Sequence, residues 1–294
     1  WLSALRGQAR VVVGTRSAVF ATMQNLAAIC VWDDWNETLL EPHAPYWHAR
    51  DVAVQRSNSE SLALMIVGCA PSTDAVALAP WLATVARPTS QSRRNMARVR
   101  SALEEPYAQG VNLRIPSLAF DVIKQAIKDG PVLVSVPRAG YSPRLVCDKC
   151  RALATCASCN GPLVQTERSS DPMCRMCGTF ASGWSCSACK GTSLRATAIG
   201  AVRTAEELGR AFPGVPVRSS SADHIVRQID ARPCIVVATP GAAPMAPNGY
   251  RAAVLLDGNV MLSRPDLRAT EDTFQKWMEC VSLVHPDGEV VVVC

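Results

Sequence analysis

Apolar positions fall along this chain in short runs, not in one long block. Ala9–Gly14 (ARVVVG), Leu26–Trp32 (LAAICVW) and Leu62–Gly68 (LALMIVG) are β-branched or aliphatic stretches of strand length, and each reads as a buried parallel strand. His48–Ser57 (HARDVAVQRS), between the second and third, fits a helix. From Pro71 to about Pro116 the chain is polar, proline-punctuated and rich in arginine, the profile of a connection between lobes. Regular patterning resumes with an amphipathic helix, Leu118–Asp129, stopped by Gly130, and a strand, Pro131–Val136. A cysteine-rich segment then interrupts. After it the pattern predicts helix Arg203–Phe212, strand Val215–Arg218, helix Asp223–Ile229 and strand Cys234–Ala238. Strand Ala252–Asp257, helix Pro265–Val284 and strand Glu289–Val293 complete the chain. Such alternation predicts an α/β fold, parallel sheets with helices on both faces, in two lobes.

Size and composition agree. At about 100–200 residues per domain, 294 residues that are 48% hydrophobic and 19% charged suit two cores and exclude general disorder. The greasiest stretch, Leu62–Ala86, is broken by Pro71, Asp74 and Pro80, short of the roughly 18 uninterrupted apolar residues of a membrane span. The start shows no basic segment leading into an apolar one, so no secretory signal is visible. The chain opens on Trp1, and a larger polypeptide is expected around it.

Charge is uneven. The formal excess is +5, and Tyr141–Arg203 supplies all of it, with eight basic residues (Arg144, Lys149, Arg151, Arg168, Arg175, Lys190, Arg195, Arg203) against Asp148, Glu167 and Asp171. A second run, Arg87, Arg93, Arg94, Arg98 and Arg100, has no acid between its ends. Both suit a polyanionic partner or a plain solvated surface.

Eight of the 13 cysteines form four Cys-x-x-Cys pairs: Cys147/Cys150, Cys156/Cys159, Cys174/Cys177 and Cys186/Cys189. The other five (Cys30, Cys69, Cys234, Cys280, Cys294) sit singly in apolar contexts and read as small buried hydrophobes. A disulfide framework needs a secreted setting, and a redox Cys-x-x-Cys usually occurs once. Zinc is the better reading: two such turns complete a tetrahedral shell of four thiolates. The four histidines (His43, His48, His224, His285) all lie elsewhere, so the expectation is two all-cysteine structural zincs with no open position for catalysis. Only five residues separate Cys150 from Cys156, whereas fourteen separate Cys159 from Cys174, a zinc-ribbon spacing. The favoured arrangement is therefore nested: Cys147, Cys150, Cys186 and Cys189 for one ion, Cys156, Cys159, Cys174 and Cys177 for the other. A cross-braced pairing is the alternative.

Two α/β lobes suggest a nucleotide-driven motor. Yet the chain has no Gly-Lys dipeptide, hence no P-loop, and no Gly-x-Gly-x-x-Gly. No residue is assigned to catalysis or to cofactor binding on this reading.

Val13–Ala21 (VGTRSAVFA), His48–Val54 (HARDVAV), the four cysteine pairs and Phe212–Val217 (FPGVPV) together resemble the PriA family of bacterial replication-restart proteins. The resemblance covers essentially the whole chain. It implies two RecA-like lobes of the helicase superfamily-two type. Residues 1–86 would be an incomplete first lobe, 87–116 the interlobe connection, and 117–294 the second lobe, with a double zinc ribbon inserted at 144–192. It supports the nested zinc pairing. It also implies a bacterial cytoplasmic, nucleoid-associated protein that binds stalled or abandoned forks and single-stranded DNA. Expected partners are primosome and helicase-loading proteins, with a single-stranded DNA-binding protein as a further one.

The departures from the family pattern are specific. Where relatives of the helicase type carry Asp-Glu-Glu-His for Mg²⁺ and water, this chain has Trp32-Asp33-Asp34-Trp35, so the metal-holding carboxylate becomes a tryptophan. Asp33 and Asp34 could bind a cation, but a solvated or capping role is favoured. Ser-Ala-Thr-Pro becomes Gly68-Cys69-Ala70-Pro71, Gly-Thr-Gln-Met becomes Ala238-Thr239-Pro240-Gly241, and the arginine-finger segment becomes Glu279–Val284. Losing arginine fingers typically costs orders of magnitude in phosphoryl transfer. The resemblance is thus to the actinobacterial type, with degenerate helicase motifs, and ATP use is in doubt. The expectation is a DNA-binding recruitment factor without helicase activity. The competing readings are an active ATP-dependent 3′-to-5′ helicase and a zinc-ribbon interaction protein that never touches DNA. His48 and Arg50 are expected to cap and pack, and Trp184 to pack over the cysteine cluster.

Overall fold

The computed structural model describes residues 1–82, 84–85, 96–102, 114–137, 145–150, 152–165, 171–196, 201–262, 264 and 266–294. The chain divides into two compact units, Trp1–Arg87 and Pro88–Cys294.

In the first unit, β1 (Ala28–Trp32) pairs in parallel with β2 (Ala63–Val67), Ala28 opposite Ala63 through Trp32 opposite Val67. Helix Ala49–Glu60 connects them. It starts where the His48 ring nitrogen accepts the Arg50 N–H at 3.1 Å and stops at Ser61, which turns into the left-handed region. Ala49 and Ala53 of this helix pack with Val19, Val31, Ile29 and Leu64. The other face of the pair (Ala28, Cys30, Trp32, Ala63, Met65, Val67) is exposed. Ala9–Gly14 is irregular and not a strand, with Val11 75% and Val13 91% exposed. An extended valine run becomes a strand only when a neighbour takes up its N–H and C=O groups, and among the described residues none does.

The second unit is a six-stranded parallel sheet with helices on both faces. Along the chain its strands are β3 (Arg98–Ser101), β4 (Val132–Ser135), β9 (Val217–Ser220), β10 (Ile235–Ala238), β11 (Tyr250–Leu255) and β12 (Val284–Val292). Across the sheet the order is β3-β12-β11-β4-β10-β9. The stretch read as a connection therefore contributes an edge strand, with Arg98 opposite Glu289. Between β4 and β9 the chain makes four short strands in two antiparallel pairs: β5 (Leu145–Cys147) with β8 (Leu194–Ala196), and β6 (Leu163–Val164) with β7 (Met173–Cys174).

Strands β4, β10 and β11 are buried almost end to end, as parallel strands covered on both faces must be. Val132 and Val134 face helices Ser117–Ala126 and Ala201–Ala211, joined by Ile235, Val237, Ala252 and Val254. Leu133, Val236, Ala253 and Leu255 face the other way, toward Cys280 and Val281 of helix Ala269–Ser282. The segment expected as helix Asp223–Ile229 is irregular instead. There the Ser220 hydroxyl accepts the Val226 N–H and donates to the Ala242 carbonyl. A side chain thereby takes a bond that a seven-residue helix needs for nucleation. Among the described residues no helix is long and apolar enough to cross a membrane.

Leu133 is wholly buried and Leu267 fully exposed. Leu133→Ala should therefore cost the second unit about 2–5 kcal/mol in urea unfolding. Leu267→Ala should stay within roughly 0.5 kcal/mol.

Candidate metal centres

Four copies of one turn build the cysteine module. In each, the N–H of the first cysteine donates to the carbonyl five residues ahead: Cys147 to Ala152, Cys156 to Gly161, Cys174 to Thr179 and Cys186 to Gly191, all at 2.8 Å. In three turns the fifth residue donates back to the first carbonyl, from Asn160, Gly178 and Lys190 at 2.9–3.0 Å. Those residues take φ of 57°, 73° and 60°. The turn presents both sulfurs of a pair on the same side.

The structure brings the first pair to the fourth and the second to the third. Cys147, Cys150, Cys186 and Cys189 form one group, and Cys156, Cys159, Cys174 and Cys177 the other, the sulfurs of each lying within 4.8 Å of one another. Individual separations are 3.5 Å for Cys147–Cys189 and Cys150–Cys186, 3.8 Å for Cys156–Cys177, 3.4 Å for Cys159–Cys174 and 3.5 Å for Cys159–Cys177. Four sulfurs at about 2.3 Å from a tetrahedral ion stand about 3.8 Å apart, whereas a disulfide needs about 2.05 Å. All eight are free thiols, and both groups fit a tetrahedral metal.

The sulfurs compete for protons. Backbone N–H groups of Cys189 and Ala188 draw Cys186 down to about 6, and the Thr179 hydroxyl and backbone draw Cys177 to about 6. Cys150 receives a lowering backbone bond from Ala152, but crowding by the Cys189 and Cys186 sulfurs and desolvation push it up to about 12. Cys159, with a lowering bond from Gly161, is likewise pushed up to about 12 by Cys174 and Cys177. A divalent ion would displace the remaining protons and neutralise the crowded sulfurs.

The rest of the module is thin. Its buried cluster is Leu145, Ala154, Cys156, Leu163 and Cys174, with Ala181, Trp184 and Leu194 packed against it. Trp184 lies over the cysteines as expected, its indole N–H donating to the Thr155 carbonyl at 3.3 Å. Close approach requires one glycine of the module and makes a second position tight. Met176 from the third turn lies over Gly161 of the second, where a Cβ would meet Met176 Cγ at 2.7 Å. Lys149 from the first lies over Gly191 of the fourth, where a Cβ would come to 3.2 Å from the Cys147 sulfur and 3.5 Å from Lys149 Cβ. The partner turns, whose sixth residues are Ala152 and Thr179, carry no such constraint. Lys149, Arg175 and Lys190 are exposed, and Arg195 faces Asp148 at 3.7 Å. Arg144, Arg151, Glu167 and Arg168 lie outside the described residues.

The isolated cysteines divide. Cys234 and Cys280 are buried, but Cys30, Cys69 and Cys294 are exposed, because Cys30 points from the bare face of a two-stranded sheet and Cys69 sits in the loop after β2.

Asp34 is neither solvated nor open. It is 2% exposed and meets Arg50 at 3.0 Å, and it accepts from the Ser72 hydroxyl and the Ser72 N–H. Arg50, 7% exposed, also reaches Asp51 at 3.1 Å and Asp74 at 3.2 Å. Burial works against the charge of Arg50, but the three carboxylates outweigh it and hold its pKa above the ordinary value. Ser72 in turn accepts the Ala75 N–H and caps helix Thr73–Leu78. Asp33 adopts φ 46°, donates its N–H to Val67 and accepts the Asn36 N–H. Burial lowers the pKa of His48, which suits the neutral acceptor that the helix cap requires.

Of the other altered motifs, Gly68–Pro71 is loop and Glu279–Val284 straddles the end of helix Ala269–Ser282. Thr239 follows β10, and its buried hydroxyl has no partner among the described residues. The sequence reading missed one cluster. Arg114 donates to Asp257 at 2.9 Å, Thr204 at 2.9 Å and Glu207 at 3.3 Å, and burial pushes the Asp257 carboxyl up against the pull of Arg114. Its members lie up to 143 positions apart, so no local spacing announces it.

No family model matches the chain. It is 46% identical over 297 residues to the probable replication restart protein PriA of Mycobacterium tuberculosis, covering 98% of this chain and 45% of that protein. To the probable replication restart protein PriA of Mycobacterium leprae it is 45% identical over 304 residues, covering 100% and 47%. The replication restart protein PriA of Haemophilus influenzae is 24% identical over 230 residues, covering 78% and 32%. The chain thus spans just under half the length of its mycobacterial relatives.

Metal uptake must expel protons from Cys150 and Cys159, so affinity should rise with pH. Zinc titration at pH 6 should give clearly weaker binding than at pH 8, with two equivalents bound at saturation; a pH-independent affinity would contradict the thiolate chemistry. In the first unit, Asp34→Ala leaves Arg50 without its most buried partner. Chemical denaturation should register a loss of about 3–5 kcal/mol there.

Proposed function

Since this chain is homologous along nearly all its length to just under half of the mycobacterial PriA proteins, we propose that it acts in a replication restart factor. It binds stalled or abandoned forks and promotes primosome assembly and reloading of the replicative helicase, without helicase activity of its own. The observation that carries this reading is the complete set of eight cysteines in two closed groups in a chain whose phosphate-handling positions are altered.

The six-stranded parallel sheet supports a RecA-like second lobe at 117–294, with β3 of the 87–116 connection as its edge strand. Residues 1–86 make an incomplete first lobe. Cys147, Cys150, Cys186 and Cys189 hold one zinc, and Cys156, Cys159, Cys174 and Cys177 a second. Both coordination shells are closed, so the ions brace the module and leave no position for a reacting water. DNA is held mainly through phosphate contacts from Arg and Lys, which fix position without reading sequence. The module presents a rigid surface to the fork or to loader proteins, with single-stranded DNA-binding protein as a further partner, in the bacterial cytoplasm at the nucleoid.

The active-helicase reading needs a carboxylate free to hold Mg²⁺. Asp34 is bound instead to Arg50 and Ser72, and Trp32 fills the position of the metal-holding acid. A restart factor of this kind should bind forked DNA with affinity falling roughly ten-fold or more between 50 and 200 mM salt. DNA should not stimulate ATP hydrolysis by the full-length protein. Robust turnover that disappears in Asp33→Asn would establish the helicase instead.

A further inference from the structure

The two sulfur groups are concentric along the chain. Fourteen residues lie between Cys159 and Cys174, and that whole loop falls within the 35 residues between Cys150 and Cys186. We infer that the inner site, Cys156/Cys159/Cys174/Cys177, loads first and that its closure strengthens the outer site, Cys147/Cys150/Cys186/Cys189. The inference rests on the metal reading of both groups.

The argument is loop entropy. Joining the ends of a flexible loop costs (3/2)RT ln n, so closing 35 residues is less favourable than closing 14 by a factor of about four. Once the inner ion is bound, only the five residues before Cys156 and the eight after Cys177 remain free between the outer pairs. The outer loop then closes about four-fold more readily. Thermodynamic reciprocity makes the coupling mutual, while the shorter loop decides which site fills first.

The module's hydrogen bonds run the same way. Ala154 donates its N–H to Leu145, on the strand that leads into the outer site. It also accepts the N–H of Leu163, on the strand after the inner turn. Leu145, Ala154, Leu163 and the inner ligands Cys156 and Cys174 share one buried cluster. Ordering the inner turns therefore fixes the ladder on which Cys147 stands.

The test uses the whole 294-residue chain and zinc alone. At one equivalent, brief alkylation followed by peptide mass mapping should label Cys147, Cys150, Cys186 and Cys189 about one and a half times as heavily as the inner four, because the coupling also populates the doubly loaded chain. Equal labelling, or preferential labelling of the inner set, overturns the order. In a Cys156→Ser/Cys159→Ser double variant, competition with a chromophoric chelator should show the outer site weakened about four-fold or more; an unchanged outer affinity overturns the coupling. The sheet core is separate from the module, so circular dichroism distinguishes a lost coupling from a lost fold. A wild-type chain that takes up no zinc removes the metal reading itself, a result distinct from either outcome above.

Discussion

Four sulfurs held within 4.8 Å of one another resist full ionisation, since each thiolate raises the cost of the next. That constraint shapes the whole module. The repeated turn leaves no freedom to spread the sulfurs apart, and the buried cluster beneath them is too small to impose the geometry by packing. Backbone donors lower some thiols while neighbouring sulfurs raise others, so the proton-loaded module is electrostatically divided. Only a cation at the centre of each group lets all four act alike, and closed shells of this kind are structural. The glycines under Met176 and Lys149 follow from the same crowding.

The first unit uses charge differently. There Asp34, one of two adjacent acids that could have held a cation, is engaged by the protein itself. Asp34 joins the end of β1, the start of helix Ala49–Glu60 and the cap of helix Thr73–Leu78 through Arg50 and Ser72. A buried pair like this is costly to break and contributes modestly when intact, so it holds three elements together more than it adds stability.

Much of this was legible in the sequence because the signals were local. A Cys-x-x-Cys turn is six residues long, so its geometry is written where it occurs. The runs VLVS and IVVA are fully buried strands, as continuous apolar stretches predict. What escaped depends on distant partners. Val11–Val13 looks like a strand but lacks a neighbour among the described residues, and Asp223–Ile229 looks helical until Ser220 takes the Val226 N–H. Arg98–Ser101, polar and basic, reads as a connection because an edge strand needs no apolar pattern. The Arg114–Asp257 cluster could be found only once the fold had brought its members together.

The closed shells have a consequence for the field around the molecule. The formal +5 counts every cysteine as neutral, but a divalent ion inside four thiolates carries two negative charges. Two such centres would cut the surplus of Tyr141–Arg203 from five to one. The ribbon would then offer a polyanion little net attraction beyond its individual Lys149, Arg175 and Lys190 side chains. The larger local excess of basic residues in the sequence would then be the run Arg87–Arg100, and no longer the cysteine module.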